Sequence, residues 1–141
     1  MTPKKIAVLG GGNGAHTMAA EFAVRGHIVN MYEMPQFKNN MKKVFETKTI
    51  KMKGNIKELQ GSVELNMVTD DIAEAVEGCK YICLVAPAFT HLAYAKLLKG
   101  HLHKDQIVVT YPGAFSALVL KNVFGDDPDC PVFADANNLP Y

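Results

Sequence analysis

The sequence predicts a doubly wound α/β fold on a mostly parallel sheet of six main strands, with an extra hairpin near residues 49–59. Three observations predict it. Short apolar runs alternate with helical patterns from Ile6 to Ala134. A glycine string, Gly10-Gly-Gly-Asn-Gly14, joins the first apolar run to the first helical pattern. Tyr81 to Ala86 is almost wholly apolar, as a central strand covered on both faces requires.

Ile6 to Leu9 reads as the first strand. Gly10, Gly12 and Ala15 then fit the pattern G-x-G-x-x-G/A of a dinucleotide-binding βαβ unit, the Rossmann fold. Gly10 makes the tight turn out of the strand, Gly12 lets a pyrophosphate approach the backbone, and Ala15 lets the helix pack closely. The helix start offers unpaired N–H groups and partial positive charge to phosphates. Ala15, Met18, Ala19, Phe22 and Ala23 form one apolar helical face, closed by Arg25 and Gly26. Ile28 to Tyr32 is the second strand. Glu33 follows, eighteen residues past Ala15, near the spacing expected of the acid that accepts ribose hydroxyls of NAD. The plainer alternative is a glycine turn without a ligand and a solvated Glu33.

Met34-Pro35 ends that strand, and Gln36 to Thr47 reads as a helix. Thr49 to Lys53, the turn Gly54-Asn55 and Ile56 to Leu59 read as a hairpin. Seven of the fifteen basic residues fall here: Lys38, Lys42, Lys43, Lys48, Lys51, Lys53 and Lys57. They read as a solvated face, or as attraction for an anionic cofactor or the 2′-phosphate of NADP, which Glu33 would repel.

Val63 to Val68 is the third strand, after which Thr69 or Asp70 caps a short helix ending at Gly78. Tyr81 to Ala86 is the fourth strand, broken by Pro87, and Phe89 to Leu98 is helical. Ile107 to Tyr111, the turn Pro112-Gly113, a helix over Ser116 to Phe124 and a strand over Val132 to Ala134 complete the pattern. The expected strand order is 3-2-1-4-5-6, with the ligand between the carboxyl ends of strands one and four. The second of those ends, Val85-Ala86-Pro87, is small and apolar, suiting a wall beside a nicotinamide ribose or simply a tight turn.

The composition is that of an ordinary globular domain, 48% hydrophobic and 21% charged. A net charge of +1 gives no pull toward nucleic acid or membrane, and no apolar run is long enough to span a bilayer. Met1-Thr-Pro-Lys-Lys5 leads straight into the first strand without a secretory segment. Cys79, Cys83 and Cys130 match no zinc or redox spacing, so a reducing cytoplasm is expected. His16 stands near the expected phosphates, as a cofactor contact or as a residue bonded to nearby backbone. His91 stands near the crevice, with a substrate-side proton role or as a partly exposed helix residue. His27, His101 and His103 read as surface residues. No nucleophile triad or metal-ligand spacing stands out.

Four stretches together resemble the NAD-binding domain of the opine dehydrogenases, the family that includes octopine and nopaline dehydrogenases. They are Ile6-Ala-Val-Leu-Gly-Gly-Gly-Asn-Gly-Ala-His16, Val85-Ala-Pro-Ala-Phe-Thr-His91, Tyr111-Pro-Gly-Ala114 and Asp135-Ala-Asn-Asn-Leu-Pro-Tyr141. The resemblance implies reduction by NAD(P)H of the imine formed from an amino acid and a 2-oxo acid. It implies cofactor contacts from Gly10, Gly12, Asn13, Gly14, Ala15, Glu33, Val85, Ala86 and Pro87, with Pro112 and Gly113 near the nicotinamide, and NAD rather than NADP. It also implies a following helical domain that carries the catalytic histidine, so residues 1–141 are expected to be a single cofactor-binding domain, inactive alone. Apolar surface left uncovered would favour self-association. Two other readings stay open: a dehydrogenase of a 2-hydroxy acid or polyol phosphate, and a non-catalytic dinucleotide sensor or partner-binding module.

Overall fold

The computed structural model describes residues 2–139 and 141. Its elements are β1 (Lys5–Leu9), α1 (Asn13–Val24), β2 (Ile28–Tyr32), α2 (Lys42–Thr47), β3 (Thr49–Met52), β4 (Gly61–Glu64), β5 (Met67–Thr69), α3 (Ile72–Val76), β6 (Tyr81–Val85), α4 (His91–Leu98), β7 (Ile107–Tyr111), α5 (Ser116–Phe124) and β8 (Val132–Asp135). The main sheet runs β5-β2-β1-β6-β7-β8. All its pairings are parallel, which is the 3-2-1-4-5-6 order expected of a doubly wound sheet. β3 and β4 form a separate antiparallel hairpin.

Alternation along β1 and β6 sends side chains to opposite faces, and both faces are covered. Leu9, Ile82 and Leu84 pack with α3, α4 and α5, through Ala75, Leu98 and Leu120. Ile6, Val8 and Cys83 pack on the other face with Met18 and Ala19 of α1 and Val44 of α2. Burying these runs on both sides is what holds a central parallel strand in place. Asn30 in β2 is fully buried. Its amide donates to Ala75 O at 2.9 Å and accepts from Asn66 Nδ2 at 2.8 Å, tying α3 to the sheet.

Four sequence expectations shift. The alternation from Val63 to Val68 spans two strands of different sheets: β4 pairs in the hairpin and β5 extends the main sheet. Between them Leu65 N bonds Lys48 O and Asn66 N bonds Val29 O, so the chain changes partner there. The hairpin partner of β3 is therefore β4, and Lys57–Leu59 is a 3-10 turn. Gln36 to Thr47 is two pieces, a 3-10 turn over Pro35–Met41 and then α2, because only Met41 of the first piece is buried. The cap of α3 is Asp71, whose carboxylate accepts from Ala73 N at 2.8 Å and Glu74 N at 3.3 Å.

Candidate cofactor crevice

The glycine turn leaves β1 through Gly10, which has φ +119° and donates its N–H to Tyr32 O at 2.8 Å. A Cβ there would overlap the carbonyl of Val85. Gly10 is thus fixed by the sheet, at the seam between β1 and β6. Gly12 has no such reason. Its φ of −78° suits any residue, and a Cβ built on it meets no protein atom within 4 Å. It stands at the N-cap of α1 with no side-chain cap. The first bond of the helix is His16 N to Gly12 O at 3.0 Å, so the amides of Asn13, Gly14 and Ala15 precede it. Ala15 is fully buried, as the close packing of α1 requires.

Glu33 closes β2 beside this turn and is 7% exposed. Its Oε1 accepts from Met34 N at 2.8 Å and from the hydroxyl of Tyr94 at 3.3 Å. Oε2 lies over Gly11, where a Cβ would overlap both that oxygen and the side chain of Met41. Among the described residues no buried side-chain polar atom lacks a partner. Burial and the neighbouring Glu33 charge hold the Tyr94 hydroxyl protonated, and burial pushes Tyr32 up to about 12. The sequence reading picked out Glu33 but missed Gly11, Met41 and Tyr94, which fix where its carboxylate sits. Gly11, as the variable position of the motif, carried no signal of its own.

Val85, Ala86 and Pro87 face Gly12 and Gly14 across a hollow of about 220 Å³, with Tyr111, Pro112 and Leu139 completing its lining. The two strand ends picked from sequence therefore meet in one crevice. Gly113 lies behind it, packed against Asp135. Leu139 of the C-terminal motif is in the lining, while Pro140 of that motif lies outside the described residues. A second hollow of about 880 Å³ opens beyond Glu33, lined by Tyr32, Met34, Gln36, Asp71, Ala93 and Lys96 among others. A third, of about 590 Å³, lies between α1 and the hairpin, and no residue of the glycine turn lines it.

The histidines divide. His16 Nδ1 bonds Gly12 O at 3.0 Å, the plainer of its two readings. His91 is not a partly exposed helix residue: it is 1% exposed and both ring nitrogens are bonded within the protein. Burial pulls its pKa down. Neither ring nitrogen of His91 is left free to face the crevice. His101 and His103 are exposed, whereas His27 is half-buried, its Nδ1 accepting from Lys4 N at 3.2 Å. Of the seven clustered lysines, Lys38 pairs with Asp70 at 2.9 Å and Lys42 with Glu46 at 4.0 Å, and all seven are exposed, so they form a solvated face. Cys79 and Cys83 are buried thiols, pushed up by burial to about 11 and about 12. Among the described residues no group of His, Cys, Asp and Glu could hold a metal ion, and no helix is long and apolar enough to cross a membrane.

Residues 5–118 match the family model of the NAD-dependent glycerol-3-phosphate dehydrogenase N-terminus. An opine dehydrogenase of Arthrobacter sp. (strain 1C) is 31% identical over 111 residues, covering 79% of this chain and 30% of that protein. An opine dehydrogenase of Haliotis discus hannai is 34% identical over 121 residues, covering 78% and 30%. The chain thus spans about a third of the length of these relatives. Its fold is that of octopine dehydrogenase solved with NADH and agmatine, with a TM-score of 0.84 at 24% identity over 98% of this chain and 36% of that one. The glycine turn, the acid at the end of β2 and the ends of β1 and β6 all lie within the span of the family model, and the chain belongs to the NAD-dependent glycerol-3-phosphate dehydrogenase N-terminal family.

Proposed function

We propose that residues 1–141 hold NADH for an opine-type dehydrogenase, which reduces the imine of an amino acid and a 2-oxo acid. The observation that carries this reading is Gly12. Neither its backbone angles nor any protein neighbour calls for glycine there, so the space above it is kept for something else. Amides of Asn13, Gly14 and Ala15 would receive the diphosphate, with the positive end of α1 behind them. Glu33 Oε2 would accept a ribose hydroxyl, and the hollow beyond it has room for the adenine. Val85, Ala86 and Pro87 would bound the nicotinamide end. When bound, the dinucleotide supplies the hydride. The chain's own task is to orient it and shield it from water.

The acid/base chemistry is assigned to the part of the relatives that lies beyond this span, since the one buried histidine at the crevice edge is fully bonded. Residues 1–141 alone should therefore bind NADH without oxidising it in the presence of an amino acid and a 2-oxo acid. The test is calorimetric titration of NADH into the chain and into Gly12→Val. A valine there should weaken binding by more than about tenfold with little change in thermal midpoint, because a Cβ at this position meets no protein atom within 4 Å. Equal affinity in the two proteins would remove the glycine turn from the site.

A further inference from the structure

The two walls of the 220 Å³ crevice come from different strand ends, Ala86-Pro87 after β6 and Tyr111-Pro112 at the end of β7. A single buried imidazole joins the elements behind them. His91, the first residue of α4, bonds Ala86 O through Nε2 at 2.8 Å and Ser116 Oγ, the first residue of α5, through Nδ1 at 2.5 Å. A carbonyl can only accept, so the ring proton sits on Nε2, and Nδ1 accepts from the Ser116 hydroxyl. Resting on the dinucleotide reading above, we propose that His91 is a positioning residue. Through Ala86 and Ser116 it sets the separation of the walls that receive the nicotinamide half of the cofactor.

The surroundings fit a strut rather than a space-filler. The next carbonyl along, Pro87 O, is held by Thr90 through both its hydroxyl at 2.7 Å and its N–H at 2.9 Å. The far end is anchored equally. Ser116 N donates to Gly113 O at 2.8 Å, Gly113 N to Ala136 O at 2.7 Å, and Ala117 N to Asp135 Oδ1 at 2.9 Å. Thr110 at the end of β7 also donates its hydroxyl to Asp135 Oδ1, at 2.5 Å. The two strand ends are thus braced to one another, and at the crevice end of α4 and α5 the side-chain link among the described residues is His91–Ser116, with Lys99 Nζ donating to Val123 O at 2.8 Å at the far end of the two helices. An apolar residue could fill the space but could not hold the Ala86 carbonyl. Burial keeps the imidazole neutral, the form that donates once and accepts once.

The reading predicts a loss confined to one half of the ligand. NADH and ADP-ribose share the adenosine and diphosphate, and only NADH reaches the walls near Ala86 and Pro112. The experiment is calorimetry of both ligands on the chain, on Ser116→Ala and on His91→Gln, with thermal midpoints recorded. Ser116→Ala removes one oxygen at the buried first residue of α5 and leaves the His91–Ala86 bond in place. The expected result in both variants is NADH weakened by about tenfold while ADP-ribose changes by less than about twofold. NADH affinity unchanged in Ser116→Ala, or both ligands weakened by the same factor alongside a lower midpoint, overturns the strut. If the unmodified chain binds neither ligand, the dinucleotide reading itself fails first.

Discussion

Glu33 Oε2 occupies the place beside Gly11 where a side chain would begin, with Met41 against the same atom position. The acid and the glycine turn are therefore fitted to each other before any ligand arrives. Gly11→Ala should push the carboxylate and Met41 aside, an overpacking cost of about 1–3 kcal/mol. Urea unfolding would read that as a lower midpoint, and NADH titration would read weaker binding. A variant as stable as the parent would mean that Glu33 is free to swing away.

Glu33 should also set the choice between cofactors. A charge-assisted hydrogen bond of about 1.5–3 kcal/mol predicts that Glu33→Ala weakens NADH by roughly ten- to a hundredfold. The parent should prefer NADH to NADPH, because the 2′-phosphate would face a carboxylate. In Glu33→Ala that preference should narrow, as competition titrations would show. An unchanged ratio of the two affinities contradicts this role.

Asn30 is the one polar side chain in the middle of β2, and it bonds both Ala75 O and Asn66 Nδ2. Removing it leaves the buried Ala75 carbonyl with only the Cys79 thiol at 3.4 Å and opens a cavity in the core, while the exposed Asn66 amide returns to water. Asn30→Ala should cost about 2–4 kcal/mol in chemical denaturation. NADH affinity, measured well below the melting range, should stay close to that of the parent, since Asn30 lies on the α3 side of the sheet away from the turn.

The depressed pKa of His91 gives stability a definite pH dependence. The unfolded imidazole takes up a proton near its usual pKa of about 6.5, whereas the folded one resists, because burial outweighs the pull of Asp135 and the Ala86 carbonyl. The unfolded state therefore binds more protons as pH falls below that value. The contribution of His91 is full above it and is lost on acidification. Denaturation midpoints should drop more between pH 7 and 5 in the parent than in His91→Gln. Parallel pH profiles for the two proteins would count against a buried neutral His91.

Most of the sheet was legible because a parallel strand covered on both faces must be apolar throughout, and Tyr81 to Val85 and Ile6 to Leu9 are. The turn was legible because Gly10 and Ala15 answer to steric demands of strand and helix, at the Val85 carbonyl and in the core respectively. Where the reading failed, the deciding contacts were distant in sequence. Nothing local divides Val63 to Val68 between two sheets; the division comes from Lys48 and Val29, which bond Leu65 and Asn66. Nothing local buries His91 either, because its partner Ser116 belongs to the next βα unit. The position of the Glu33 carboxylate likewise depends on Tyr94, sixty-one residues away.

The central claim is that the amides opening α1 receive a dinucleotide diphosphate. Backbone amide chemical shifts followed during NADH titration test it directly. The account predicts the largest shifts at Gly12 to His16, with further shifts at Met34 and Ala86. Shifts centred on Thr17, Glu21, Met52 and Ile56, around the hollow between α1 and the hairpin, would contradict it, as would no shift at Gly12 to His16 under saturating NADH.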